Sequence, residues 1–262
     1  MFKNYFKTAF RNLLRSKVYS FINIAGLAIG IAVVILIGLW ISSKLSFNKS
    51  FKNYDHIVQV IQNDENGSNT GIVTLPWMPI PAAVELRNKY AADFKYIVLT
   101  KNSGSNILAY GDKKLSTNGM YAEPQLPEML SLQMVAGTRA GIKDPSSIMI
   151  NRSLSKALFG NIDPIGKIIR VDNKNNLKIT GVYQDFSSNT NFYGISFLAP
   201  WDYLVANQSW VKDGYEQWNN NSFGLYAQLA DQADINKVEN AVRDLLKGKP
   251  GRQDNPELVL QP

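Results

Sequence analysis

The residues of this chain that could do chemistry are few, and the first to weigh is the stretch ALFGNIDPIGKIIRV at 157–171. Gly160 opens it and Gly166-Lys167 closes it, residue types suited to cradling a phosphate. A P-loop needs four residues between the first glycine and the Gly-Lys pair, then Ser or Thr to reach Mg²⁺. Here five intervene, Asn161 to Ile165, and Ile168 follows the lysine. The helical pattern also precedes the glycines, the reverse of the order a nucleotide site needs. His56 is the single histidine, so no two-histidine metal site exists and no Ser-His-Asp triad is readable. It stands at a strand entrance and reads as a solvated residue. Asp64-Glu65 lies in a polar loop, and Asp55, Asp163 and Asp185 adjoin turn signals, where carboxylates cap and turn backbone. Trp201, Tyr203, Trp210, Tyr215 and Trp218 cluster along the chain. They could line a sugar or hydrophobic-ligand surface, but core and subdomain-interface packing is the favoured reading. The sequence thus offers no catalytic residue, no cofactor site and no metal site. The soluble part reads as a binding or mechanical domain.

Composition sharpens this. With no cysteine among 262 residues, disulfides, thiolate metal sites, thiol catalysis and lipoprotein acylation are excluded. The net charge of +7 is not spread evenly. Residues 1–54 hold eight bases (Lys3, Lys7, Arg11, Arg15, Lys17, Lys44, Lys49, Lys52) and no acid, whereas the remaining 20 bases face all 21 acids. The basicity therefore belongs to the N-terminal segment. A nucleic-acid partner is not expected, because no basic face with interleaved aromatics exists elsewhere.

Those eight cations flank a membrane-like segment. From Val18 to Ser43 no residue is charged. At ~1.5 Å per residue the run reaches roughly 39 Å, beyond the ~30 Å hydrocarbon core. A signal peptide would have an apolar stretch of only ~7–15 residues and a small-x-small cleavage site, which this run lacks. The reading is a retained transmembrane helix over 18–43. Five cations precede it, so the positive-inside rule places the N-terminus in the cytoplasm and residues after 44 on the far side, the periplasm of a Gram-negative cell. Before the span, Lys3, Lys7, Arg11 and Arg15 recur every four residues opposite Phe2, Phe6, Phe10, Leu13 and Leu14. Either this is a topogenic basic tail, or residues 1–17 form an amphipathic helix lying on membrane lipids. Within the span Gly26 and Gly30 form G-x-x-x-G, which suits close helix packing in lipid, though such glycines also occur by chance.

Beyond the span the elements read as follows. Ile57, Val58 and Val60 read as a strand, PWMPIPAAVELRNKY begins with proline punctuation and becomes a helix with Pro81 in its first turn, and 94–100 is a strand, together an α/β unit. Residues 106–200 read mostly as short strands, with a hairpin at Gly111-Asp112 and a short helix capped by Asn151 or Ser153 and closed by Gly160. Asp163-Pro164 turns the chain into KIIRV and LKITGV, two strands joined by DNKNN. FGLYAQL is a strand, and DINKVENAVRDLLKG a helix running from Asp231 or Asp234 to Gly248. Helices on sheets without strict alternation indicate an α+β fold.

In this order the motifs resemble the MacB-like periplasmic core domain of permeases in the MacB, LolC/LolE and FtsX superfamily of ABC transporters. The similarity begins at FKNYFKTAFRNLLRSKVYSFINIAGLAIGIA and continues through FKNYDHIVQV, where His56 and Gln59 depart from the family's N-x-D-R-I-Y-R-V. It runs on through YAEPQLPEMLSLQMVAGT, with Leu126-Pro127 in place of aromatics. SSIMINRSLSKALFGNIDPIGKIIRV and LKITGVYQDFSSNTNF are its most specific parts. The resemblance implies an inner-membrane protein with a two-lobed periplasmic domain over 44–262: a porter-like βαβ lobe (55–105 with 220–250) and a strand-rich sabre-like lobe (106–219). It implies a cytoplasmic ABC ATPase on a separate chain, a second permease subunit forming a homo- or heterodimer, and in some relatives a periplasmic partner protein. It further implies mechanotransmission, in which ATP-driven movement repositions the periplasmic domain for export or extraction of a substrate. Permeases of this kind carry further membrane helices, so the chain is read as an N-terminal fragment of a non-enzymatic subunit. A single-span sensor or scaffold binding a ligand or a cell-wall enzyme is the alternative.

Overall fold

Long runs of helix-forming residues open the chain, and a break at Ser16 splits them in two. The computed structural model describes residues 2–64 and 71–262, with no side-chain description for Phe2, Lys3, Ala9 and Leu14. The chain divides into two units, Met1–Phe47 and Asn48–Pro262. The first holds α1 (Phe2–Arg15) and α2 (Lys17–Leu45). The apolar helix is thus one residue longer at its start and two longer at its end than the uncharged stretch, because Lys17 and Lys44 are tolerated in its terminal turns. No residue of α2 is buried.

The second unit runs, in chain order, through β1 (Ile57–Asp64), β2 (Val73–Leu75), α3 (Ile80–Lys89), β3 (Phe94–Tyr110), β4 (Lys113–Ala122), α4 (Leu126–Met129), β5 (Met134–Gly137), β6 (Ser147–Asn151) and α5 (Arg152–Phe159). It continues through β7 (Ile168–Val171), β8 (Asn175–Tyr183), β9 (Ile195–Pro200), α6 (Trp201–Asn207), α7 (Ser209–Asp213), β10 (Gly224–Leu229), α8 (Ile235–Val242) and β11 (Glu257–Gln261). Four strands lie in the order β11-β1-β10-β3. β1 is antiparallel to both β11 and β10, and β10 is antiparallel to β3. Hence β1 and β3 run parallel with β10 between them, and β10 and β11 run parallel with β1 between them. The helices α3 and α8 make the two crossovers. These are two interlocked split βαβ units, the ferredoxin-like arrangement. Its helix-covered face buries Val58, Val60, Leu86, Leu99, Leu225, Ala227, Val238 and Leu260 in one cluster.

The other strands close on themselves. β3 pairs with β4, β4 with β9, β9 with β6, β6 with β8, β8 with β7, and β7 returns to β3. This ring of six leaves no open edge within it. Alternate residues of its strands, Ile148 and Ile150, Ile169 and Val171, Leu177 and Ile179, Phe197 and Ala199, share a buried cluster with Leu108. Gly119 is required there by close approach. A Cβ on it would lie 2.2 Å from Phe197 Cζ, so the ring fills the space a side chain would take. β3 belongs to both parts, and its ladder shifts register between Asn102 and Gly104 as it passes from one to the other.

Several sequence-based expectations are refined. Asn151 is the cap of α5, its Oδ1 accepting from Leu154 N at 2.8 Å, and Gly160 closes the helix at φ 63°. Asp234 caps α8. That helix ends at Val242, six residues short of the expected stop at Gly248; turns cover 243–248 and still bury Leu245 and Leu246. Residues 201–213, grouped by sequence with the strand-rich part, instead pack Trp201, Leu204 and Val211 into the ferredoxin-like cluster. β11 pairs along β1 from Gln59↔Gln261 to Asn63↔Glu257, a strand the sequence reading missed.

Candidate functional site

Several of the residues singled out by chemistry have a local structural task. Gly160 and Asp163 shape the connection after α5, where Ile165 N donates to Asp163 Oδ1 at 3.0 Å. Asp185 Oδ1 accepts from Ser153 N at 3.4 Å. Asp55 is exposed and lies 4.0 Å from His56 Nε2. Glu65 lies outside the described residues. Among the described residues no group of three or more His, Cys, Asp or Glu could hold a metal.

The membrane-directed residues are placed by the helices of the first unit. Lys7, Arg11 and Arg15 are exposed along α1, as are Tyr5, Phe6 and Phe10; the side chain of Lys3 lies outside the described residues. Gly26 and Gly30 face open space, with no atom within 4 Å of where a Cβ would stand. The helix α2 is long and apolar enough to cross a membrane.

Three of the aromatics at 201–218, Trp201, Trp210 and Tyr215, converge with residues no motif links to them. Trp201 is buried and donates from Nε1 to Tyr215 Oη at 2.9 Å. It meets Phe223 edge-on at 5.4 Å, and Trp210 stacks on the same ring at 5.5 Å. Over this group sits Lys101. Its Nζ is 5.9 Å from the Trp77 centroid, 5.7 Å from Trp210 and 5.9 Å from Phe223, and it donates to Ser222 O at 2.9 Å. Burial lowers its pKa below the ordinary lysine value. Tyr203, further along, stacks on Tyr121 at 5.9 Å and is packed between strands and helix.

A second cation lies close by in the network. Arg252 is 1 % exposed at its side chain, and all five guanidinium donors are taken. Nε and Nη2 form a fork on Asp254 at 2.9 and 2.7 Å. Nη2 also reaches Gln62 Oε1 at 2.8 Å, and Nη1 reaches Trp218 O at 2.9 Å and Asn221 Oδ1 at 3.1 Å. Gln62 is itself buried and donates from Nε2 to Trp77 O at 2.6 Å, so it links the arginine to the Trp77 backbone. Lys249 lies 4.4 Å over the Trp218 ring and pairs with Glu85 Oε2 at 2.5 Å. A further, half-buried pair, Arg87 with Glu123, bridges α3 and the end of β4, and both residues also bond the backbone of β3, Arg87 donating to Ile97 O and Glu123 accepting from Leu99 N; burial pushes the Glu123 carboxyl up, against Arg87 and the Leu99 N–H.

Lys101 could have been noticed in the sequence. It continues the alternating apolar row of Ile97 and Leu99, where a cation is out of pattern. Arg252 gave no such signal, standing among polar turn residues.

The second unit is thus a ferredoxin-like sheet joined to a closed strand ring, and among the described residues no catalytic set is assembled. Comparison with known proteins decides the family. The MacB-like periplasmic core domain model matches residues 20–245. The chain belongs to that family. The macrolide export ATP-binding/permease protein MacB of Chlorobaculum tepidum is 26 % identical over 188 residues, 66 % of this chain and 28 % of that protein. The chain therefore spans little more than a quarter of that relative. Among solved structures, a domain of a protein assigned as a permease from Porphyromonas gingivalis matches with a TM-score of 0.66 and 19 % identity, covering 81 % of this chain and 91 % of that one. The periplasmic region of MacB from Actinobacillus actinomycetemcomitans matches at 0.56 and 17 %, covering 78 % and 88 %. The extracellular domain of the noncanonic ABC-type transporter YknZ from Gram-positive bacteria matches at 0.55 and 13 %, covering 78 % and 99 %. These likenesses show the fold. The MacB-like match starts inside α2, so the apolar helix and the folded unit belong to one family pattern.

Proposed function

We propose that this chain is the leading part of an ABC transporter permease subunit, a non-catalytic element that couples ATP hydrolysis on a partner chain to movement of its MacB-like domain. The observation that carries this reading is the family match running from within the apolar helix through α8. The reading places α1 on the cytoplasmic leaflet, with Lys3, Lys7, Arg11 and Arg15 against anionic headgroups, and residues after 44 in the periplasm. Gly26 and Gly30 offer an unfilled small-residue face for another membrane helix, of this or a second permease subunit. A division of the periplasmic part into a porter-like lobe and a sabre-like lobe fits the two sheet systems. The ferredoxin-like order supports assigning β1, α3, β10, α8 and β11 to the first, with 201–213 joining it by packing. The ring of six strands supports the second. β3, shared by both, would carry movement from one to the other.

Two experiments test this. An affinity-tagged full-length protein purified from the membrane should bring with it an ABC ATPase whose hydrolysis rate changes when the permease is present. A reporter active only in the periplasm, fused after Gly251, should be active. A silent reporter would invert the topology, and a membrane protein purified without any ATPase would favour the single-span sensor or scaffold.

A further inference from the structure

Lys101 is a cation that this fold leaves half satisfied. An ammonium has three N–H donors, and one of them meets Ser222 O. Among the described residues no carboxylate lies within ion-pair distance of Nζ; its other neighbours are the Trp77, Trp210 and Phe223 rings. Lys249 shows what the chain does when a lysine on an indole is settled internally, because Glu85 is supplied to it at 2.5 Å. Around Lys101, Trp77 is 39 % exposed and Trp210 41 %. Exposed tryptophans are among the residues that carry most of the binding at protein interfaces, and the unmatched ammonium between these two calls for a carboxylate from outside the chain. Polar Asn220 and Ser222 supply a rim.

We propose that the Trp77–Lys101–Trp210 patch is a docking surface for a peptide segment of a partner protein that presents an acidic side chain beside an apolar one. The carboxylate takes the two open donors of Nζ, and the apolar side chain covers the exposed indole edges. A peptide fits better than a sugar, which stacks on an open ring face. Here the ammonium lies over both indoles, and Trp210 is also stacked on Phe223 at 15°. The inference goes beyond the transport reading and does not depend on which side of the membrane the unit faces.

The test pans a random displayed peptide library on the full-length protein in lipid nanodiscs, with Lys101→Met as the counter-target. Enriched peptides should pair Asp or Glu with a neighbouring apolar residue and bind the variant about tenfold more weakly or worse. Replacing that Asp or Glu by its amide in the synthetic peptide should weaken binding to the unaltered protein by a similar factor, a readout independent of how the variant folds. The proposal is overturned if no peptide is enriched, if enriched peptides lack the acid, or if they bind Lys101→Met equally. It is also overturned if N-acetylmuramic acid binds in a Lys101-dependent way while no peptide does.

Discussion

Two cations, a buried arginine and a half-buried lysine, hold the same loop, and they are finished to different degrees. Arg252 grips Trp218 O and Asn221, while Lys101 grips Ser222 O. Arg252 spends every donor inside the chain and brings its own carboxylate, Asp254, two residues away. Among the described residues, Lys101 spends one donor on Ser222 O and otherwise meets aromatic faces. The difference is informative because the setting is shared: Gln62 bonds to both Arg252 and the Trp77 carbonyl, so the two clusters belong to one network. A charge that serves the fold is matched within it. One that the fold leaves unmatched, with tryptophans exposed around it, is free to serve something else.

Substitutions that break or sharpen this contrast fall in a clear order. Arg252→Met strands Gln62 Oε1, Trp218 O, Asn221 Oδ1 and Asp254 together, and should cost about 3 kcal/mol in urea denaturation of the full-length protein. Arg252→Lys should recover less than half, since a point charge cannot reproduce a planar fork. Lys249→Met, which removes one ion pair and one cation–π contact, should cost about 1 kcal/mol.

Glu85 places a pH signature on the same comparison. Burial pushes its carboxyl up, but hydrogen bonds and charge from Lys249 and Lys89 outweigh that and hold it below the ordinary 4.5. A carboxyl depressed in the folded state adds stability above its unfolded value, and that stability is lost as the pH falls through the folded one. The stability gap between the unaltered protein and Glu85→Gln should therefore be constant near neutrality and shrink below pH 4.5. A gap that widens with acid would contradict the assignment. Lys101→Met should move stability least, by no more than about 0.5 kcal/mol, because a flexible apolar chain replaces an ammonium that burial already disfavours. A loss as large as that of Arg252→Met would make Lys101 a structural cation and remove the contrast.

Much of this was legible before the fold was seen, where the signal was local. The apolar helix, the Gly111-Asp112 hairpin, the Asn151 cap and the Gly160 stop each depend on neighbours in sequence. What was missed depends on partners far away. NPELVLQP does not look like a core strand, yet Leu258 and Leu260 are buried because β1 pairs alongside them. The helical period runs on to Leu245, past the end of α8 at Val242, because turns rather than helix deliver that leucine to the core. The helices at 201–213 follow a strand of the ring in sequence but pack with α3 in space. The Arg252 network joins residues up to 190 positions apart, beyond the reach of any motif.

The central claim is that this domain moves in response to ATP handled by another chain. The absence of cysteine makes it directly testable, since Asp112→Cys at the exposed hairpin tip would be the single labelling site of these 262 residues. A spin label there, in the full-length protein co-purified with its ATPase and restored to lipid, should report a different mobility or spacing when ATP binds than when nucleotide is absent. A spectrum unchanged by ATP while the ATPase turns over would contradict the account.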